Sequence, residues 1–449
     1  MHRRGIFKPI AETFATGPLG RLPQIGTVSL YRNSLYLIGA SFTASSLGFL
    51  FWVTAARLYS TTEVGLGSAI IAAAGLLALF SEVGLNFAIV RFLSHAVRPQ
   101  ELVNSSFVLT GVIAASVALI FIFGTPLWTP ALSIVRDQAP FFAAFLALTV
   151  LSTWSAVMDS AFMGARKAVF VLGRETIASV LKVALVAIFA FALHTFGVVA
   201  SWTAALAVAL AVAAFLFLPR VMDGYRPAPV LKLQRLDSLR SYATASYVAS
   251  LLTRGPILIL PIMVLNLLGP ESNAYFYIAW MIANVLGTMT RSVSQSLFAE
   301  GSHLLESIQE NAARSLRLTL VLTVPATLVL VAAGYWILRA FGVDYSQNAF
   351  GLLVLFSITS LPRGVVHVYS GILRARDRLR ELLTIRAFIA IALLVPSYFM
   401  IPKYGIIVVG YAWLGVFVLV AIAIAPRLVR EASRSGGPKD EVQEDVDNL

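Results

Sequence analysis

The chain has 449 residues, of which 58% are hydrophobic and 12% charged, and its mean hydropathy is +0.83. So few polar side chains cannot coat a water-soluble globule of this size, and the composition therefore indicates a membrane protein. In so apolar a chain, the net charge of +12 indicates an excess of Lys and Arg on cytoplasmic loops rather than a nucleic-acid-binding surface. The chain has no cysteine, which excludes disulfides and thiolate chemistry.

Twelve apolar stretches follow a polar N-terminal segment. Residues 1–32 carry basic side chains but lack the apolar core and cleavage site of a removable signal peptide, so we expect a cytoplasmic tail. A helix that crosses the bilayer needs about 20 mostly apolar residues, and hydropathy predicts twelve of them. The predicted spans are 33–56, 64–90, 105–125, 140–163, 176–193, 197–219, 241–265, 273–298, 316–338, 347–369, 382–402 and 405–426.

The distribution of basic residues predicts the orientation. With the N-terminus inside, the inner segments hold 26 Lys and Arg side chains and the outer loops only four, Arg57, Arg136, Arg339 and Lys403. Cytoplasmic loops of membrane proteins carry such an excess. We therefore expect a multi-pass protein of the plasma membrane with both termini in the cytoplasm.

Short matches between the two halves indicate an internal repeat. AFMGARK at 161–167 matches GILRARD at 371–377, and two further pairs of matches keep nearly the same offset. The sequence therefore predicts an all-α protein of two six-helix lobes around a central cavity, related by a pseudo-two-fold axis along the membrane normal. The expected parts are a tail (1–32), an N-lobe (33–219), a cytoplasmic linker (220–240) with Leu233, Leu236 and Leu239 at the spacing of an interfacial helix, a C-lobe (241–426) and a disordered tail (427–449).

Six charged residues within the predicted spans stand out as candidates: Glu82, Asp159, Lys182, Arg254, Arg291 and Arg363. A charge near the bilayer centre costs about 2.5–3.5 kcal/mol, so such groups usually face the bundle interior or water. Pairing of Lys182 with Asp159 and of Arg291 with Glu82 is one interpretation, and a proton or sodium ion on Glu82 or Asp159 is another. Even full pairing leaves a surplus of positive charge, which favours an anionic substrate. The candidate binding residues are Lys182, Arg254, Arg291 and Arg363, together with Asn284 and Gln295 on the face of Arg291.

The first two spans resemble the opening of the polysaccharide exporters and O-antigen flippases, a family within the superfamily that also contains multidrug extruders and lipid II flippases. The resemblance rests on Ala56-Arg57, Glu63-Val64-Gly65, Gly84-Leu85 with Arg91, and the Ala-Arg loops at 165–166 and 375–376. It implies two lobes that form a V around a cationic cavity. It also implies alternating access that carries an undecaprenyl-pyrophosphate-linked glycan from the inner to the outer leaflet.

This resemblance also sets the expected partners. They are the lipid-linked glycan, membrane lipids and the polymerase or ligase machinery of polysaccharide synthesis, without nucleic acid. We expect no cofactor and no metal, since the five histidines lack ligand spacing.

Three alternatives compete with the flippase interpretation. A drug or cation antiporter of the same fold would need buried carboxylates, whereas basic groups outnumber acidic ones within these spans. A major-facilitator porter would usually carry a loop rich in Gly, Asp and Arg between spans two and three, and RFLSHAVRPQELVN lacks that pattern. A membrane glycan ligase or polymerase would need catalytic groups on sizeable outer loops, and the predicted outer loops are short.

Overall fold

Twelve long helices occur in the part of the chain that the structure describes. The computed structural model describes residues 26–232, 240–301, 308–376 and 378–433, and within these ranges it contains no β-strand. The helices are α1 (Gly26–Leu58), α2 (Thr61–Ser81), α3 (Pro99–Trp128), α4 (Ala139–Gly164), α5 (Val169–Leu193), α6 (Gly197–Val212), α7 (Arg240–Leu268), α8 (Pro270–Gly301), α9 (Ile308–Arg339), α10 (Val343–Ala375), α11 (Leu379–Tyr404) and α12 (Ile407–Ser433).

All of these helices except α8 lie in stretches that are long and apolar enough to cross a membrane. Ten such stretches occur among the described residues, and one of them, Val169–Val221, holds both α5 and α6, which turn at His194–Phe196. The predicted all-α membrane fold is thus confirmed. Several helices exceed the predicted spans, since a helix does not end where hydropathy falls: α1 begins at Gly26, and α10 continues to Ala375.

Two helices depart from regular geometry. After Ser81, α2 breaks at Glu82 and Val83, and the chain resumes as the short helix Leu85–Phe92. The break puts Val83 at a φ of +46°, a left-handed conformation that β-branched residues rarely adopt. After Val212, the last residue of α6, the chain continues through a π-helical turn, Ala213–Phe217, and a final helical turn that ends at Val221.

The packing of the helices repeats between the two halves. In the first half α1 packs on α5, α5 on α6, α6 on α4, and α4 on both α2 and α3. In the second half α7 packs on α11, α11 on α12, α12 on α10, and α10 on both α8 and α9, which is the same pattern shifted by six helices. The repeat that the sequence indicates is therefore present in the packing, as expected of two parallel bundles.

The two halves meet along α2, which contacts both α7 and α8. At the predicted outer end the contact is close, because the Cβ of any larger residue at Gly65 would lie 1.7 Å from the carbonyl oxygen of Pro270. Asn273 donates from Nδ2 to the Gly65 carbonyl at 2.7 Å and to Ser68 Oγ at 3.0 Å. Arg57 donates to the carbonyls of Arg339 and Ala340 at 2.9 and 2.7 Å. These bonds hold the halves together at that end.

The first part of the linker is docked on the N-terminal half. Tyr225 is buried, and its hydroxyl donates to Asn104 Oδ1 at 2.7 Å, while Asn104 Nδ2 donates to the Arg226 carbonyl at 3.0 Å. Burial raises the pKa of Tyr225 to about 12, so the phenol keeps its proton. Lys232 bonds to Glu101 and Ser105 on α3. The predicted interfacial helix with Leu233, Leu236 and Leu239 lies outside the described residues, as do residues 1–25 and 434–449.

Candidate functional site

A cavity of about 380 Å³ lies at the predicted cytoplasmic end, between α7, α10 and α11. Its basic lining residues are Arg254 on α7, His367 and Arg374 on α10, and Arg386 on α11. No carboxylate occurs among the described residues that line it, whose other members are Phe87, Ser246, Ala249, Ser250, Thr253, Leu379, Leu382 and Leu383. The cavity therefore combines positive charge with serine and threonine hydroxyls and apolar walls, which suits an anionic group with an attached organic part.

Helix packing positions the arginines. Arg386 reaches from α11 to α7, where its Nη1 donates to the Ala249 carbonyl at 3.0 Å. The same carbonyl accepts a hydrogen bond from Thr253 Oγ1 at 2.6 Å. Arg254 follows Thr253 on α7, and its side chain is 52% exposed, so it can reach into the cavity. Pro256 has no N–H, so it cannot donate the usual helical hydrogen bond to the Leu252 carbonyl.

Arg254 has a carboxylate partner from the other half of the protein. Its Nη1 lies 3.5 Å from Glu82 Oε1, and the Glu82 side chain is only 3% exposed. Asn86 Nδ2 donates to the other carboxylate oxygen of Glu82 at 2.7 Å. Among the described side chains the cationic partner of Glu82 is Arg254, whereas the suggested pairing of Glu82 with Arg291 involves a side chain outside the described residues.

Asp159 belongs to a separate ion cluster inside the N-terminal half. Arg174 binds it with two hydrogen bonds, of 2.8 and 2.7 Å, and also donates to Glu175 at 3.0 Å. The suggested pairing of Asp159 with Lys182 is therefore wrong, since the partner of Asp159 is Arg174. Arg174 lies two helical turns before Lys182 on α5. Which of the two reaches Asp159 depends on how α5 packs on α4, and the sequence does not reveal that packing.

Lys182 is not among the residues that line the basic cavity. Its ammonium lies 4.1 Å from the ring centroid of Trp202, a cation–π contact. Trp202 belongs to an aromatic cluster in which Trp52 packs against Trp202 and against Tyr277, and Tyr277 packs against Trp280. These rings bring α1, α6 and α8 together.

Arg363 and Asn284 lie deeper in the C-terminal half. The guanidinium of Arg363 lies 3.5 Å from Asn284 Oδ1, through both terminal nitrogens. Arg363 lines a smaller cavity of about 70 Å³ that adjoins the larger one, because Thr253, His367 and Arg386 line both. The side chains of Arg291 and Gln295 lie outside the described part of the chain.

The distribution of basic residues assigns Arg374 and Arg386 to the inner segments, and neither is among the predicted binding residues. The structure places both on the cavity: Arg374 lies where α10 extends beyond its apolar core, and Arg386 lies near the start of α11. Arg386 lies within the predicted span 382–402, and that position was the available signal. In the described residues no group of three His, Asp or Glu side chains could hold a metal ion.

The chain matches the model of a family described as "Polysaccharide biosynthesis protein" over residues 30–299. No curated protein matches it. Among solved structures it is similar to lipid II flippase MurJ in an inward closed conformation, with a TM-score of 0.72, 13% identity, and coverage of 89% of this chain and 90% of that one.

Two transporters of the MOP superfamily are also similar in fold. One is a multidrug resistance MATE family transporter in an inward-facing conformation, with a TM-score of 0.65, 13% identity, and coverage of 88% of this chain and 96% of that one. The other, from Pyrococcus furiosus, is described by the reverse polarity of its binding pocket, with a TM-score of 0.62, 13% identity, and coverage of 91% and 95%. At such identities the likeness concerns the fold.

Proposed function

The chain belongs to the polysaccharide biosynthesis protein family, and from this premise we propose that it is a flippase that moves a polyprenyl-pyrophosphate-linked oligosaccharide from the inner to the outer leaflet. The family and the two-half helical fold support a flippase or exporter. They favour transport over glycan ligation or polymerisation. The finer assignment of the substrate rests on the chemistry of the basic cavity.

The observation that carries the proposal is the convergence of Arg254, Arg374 and Arg386 on one cavity. Guanidinium groups bind phosphate oxygens through paired, charge-assisted hydrogen bonds, and a diphosphate offers several such oxygens. A volume of about 380 Å³ is suited to the diphosphate with the first sugar, while the rest of the glycan and the lipid extend beyond it. The three guanidinium groups would repel a cation, which argues against an organic cation as substrate.

The proposed orientation places this cavity on the side from which the substrate is loaded. The excess of basic residues assigns the beginning of α7 and the end of α10 to the cytoplasm. Lipid-linked glycans destined for the cell surface are presented there, in the inner leaflet. The diphosphate enters the cavity while the polyprenyl tail stays in the hydrocarbon of the bilayer.

Release on the other side requires the outer contacts to separate. The bonds of Arg57 to the end of α9 and those of Asn273 to α2 close that end in this structure. In the proposed mechanism the two halves rock against each other, so that these bonds break while the cytoplasmic end closes. Each half moves as a bundle because its own helices pack tightly on one another.

A reconstituted flipping assay tests the proposal. Purified protein in liposomes is given a fluorescent polyprenyl-pyrophosphate oligosaccharide, and movement between leaflets is followed by quenching. We expect wild-type protein to move the lipid and the Arg254→Ala/Arg386→Ala variant to lose most of this activity. The control is Arg98→Ala, which removes one such charge from an exposed position outside the cavity.

A parallel assay with a cationic dye separates the alternatives. Dye efflux without movement of the glycolipid would assign the protein to organic-cation transport and refute the proposed substrate. Full flipping by the double variant would show that the arginine-lined cavity does not bind the diphosphate.

A further inference from the structure

The ion pair between Arg254 and Glu82 is loose in comparison with the other interior pair. Its N–O distance is 3.5 Å through a single contact, whereas charge-assisted hydrogen bonds are usually about 2.7–2.9 Å. Arg174, in contrast, binds Asp159 at 2.7 and 2.8 Å with its side chain only 3% exposed. The Arg254 side chain is 52% exposed. Arg254 can therefore exchange partners, while Arg174 cannot.

Glu82, unlike Arg254, is fixed in place. It is nearly buried, and Asn86 holds one carboxylate oxygen at 2.7 Å. It stands where α2 breaks, directly before Val83 with its φ of +46° and Gly84 with a φ of +79°. Val83 is 48% exposed, so burial of its side chain does not account for this backbone conformation. Strained backbone of this kind concentrates at sites that bind or switch.

Arg254 therefore serves two anions. It lines the cavity in which the diphosphate would bind, and it is the partner of a carboxylate from the other half. A diphosphate offers two or more oxygens to a guanidinium and carries more charge than a carboxylate, so it competes effectively for a loosely held arginine.

We propose that Glu82 is the counter-ion of the empty site, and that a diphosphate entering the cavity takes Arg254 from Glu82 and so loosens the contact between α2 and α7. This inference rests on the proposed function, because it assigns a role to the same cavity. The distance between the two halves at α2 and α7 then depends on whether a diphosphate occupies the cavity. A neutral sugar without the diphosphate has no means of displacing the carboxylate.

The hydrogen bond from Tyr247 on α7 to the Phe80 carbonyl on α2, at 2.8 Å, lies beside the ion pair. When the ion pair between Glu82 and Arg254 is lost, this hydrogen bond still links α2 to α7. The break at Glu82 and Val83 is then the point at which the end of α2, Leu85–Phe92, can change direction. Substrate binding would thereby be transmitted to the backbone of the N-terminal half.

The binding test uses inorganic pyrophosphate and the full chain in nanodiscs, with isothermal titration calorimetry as the readout. Removing a competing carboxylate worth about 0.6–1.4 kcal/mol corresponds to an affinity gain of about three- to tenfold in Glu82→Gln. The gain should vanish when Glu82→Gln is combined with Arg254→Ala, because the competition is for that arginine. Glu101→Gln removes one negative charge elsewhere at the same end and is the matched control.

Distance measurements give a second readout that does not depend on transport. The chain has no cysteine, so spin labels at Val90→Cys and Thr244→Cys report alone. We expect the distance between them to increase on addition of pyrophosphate to the otherwise wild-type chain, and to be already increased without ligand in Glu82→Gln. Retention of the wild-type elution profile in gel filtration shows that each variant is folded.

The outcomes separate the two proposals. If wild type binds pyrophosphate and Arg254→Ala does not, but Glu82→Gln binds no more tightly than wild type, the counter-ion role is refuted and the proposed function stands. A gain that persists in the double variant also refutes it, since a general effect of charge would explain the gain. If wild-type protein does not bind pyrophosphate, both proposals fail together.

Discussion

Replacing Gly65 with alanine should disfavour the state in which the predicted outer end is closed. The new Cβ would lie 1.7 Å from the Pro270 carbonyl oxygen, so α2 and α8 must move apart by more than 1 Å to reach van der Waals contact. That separation breaks the two bonds of Asn273, of 2.7 and 3.0 Å. Each is worth about 0.5–1.5 kcal/mol net, so the closed state loses about 1–3 kcal/mol.

A loss of this size shifts the equilibrium between closed and open outer ends by about five- to 150-fold. Double electron–electron resonance between spin labels at Leu58→Cys and Val343→Cys measures the shift as a longer distance. Both positions are exposed at the predicted outer end. The flipping rate should fall, because the cycle must pass through the closed state. The control is Gly48→Ala, where the added Cβ meets nothing within 4 Å. Distances and a flipping rate equal to wild type in Gly65→Ala would refute the reasoning.

Three further variants test features of the fold. Arg174→Ala leaves the carboxylates of Asp159 and Glu175 without their cation and should lower the free energy of unfolding by about 3–5 kcal/mol. A thermal-shift assay measures the loss of folded protein, and unchanged stability would contradict a structural role for the pair. Val83→Asn should raise stability by about 1 kcal/mol, because asparagine tolerates the left-handed conformation better, and a lower melting temperature would contradict the assigned strain. Tyr225→Phe loses the hydrogen bond to Asn104 and should speed limited proteolysis between residues 222 and 232, so cleavage at the wild-type rate would show that the bond does not hold the linker.

Hydropathy was sufficient to predict the helices, because the hydrocarbon core of the bilayer imposes a length and a composition on every span. The repeat was also predictable, since matching loops such as 161–167 and 371–377 end corresponding helices, α4 and α10. Helix ends were less predictable. Backbone hydrogen bonding continues beyond the apolar core, and hydropathy does not detect it.

The candidate site was predictable only in part. Arg254 stood out as a charge within an apolar span, and the structure places it on the cavity. Its partner Glu82 and the pairing of Arg174 with Asp159 depend on which helix faces which, and no spacing within a single helix carries that information. Arg374 and Arg386 are harder to identify from sequence, because basic residues near the ends of spans are also expected on cytoplasmic loops.

The docked linker has a consequence for biosynthesis. A chain that emerges from the ribosome and enters the membrane completes α6 before residues 222–232 are available to cover the end of α3. Burial of Tyr225 against Asn104 therefore finishes the first bundle only after its last span has been made. If the two halves are expressed from separate genes, the break should follow Lys232 rather than Pro219. The first product then keeps residues 222–232, which pack against α3.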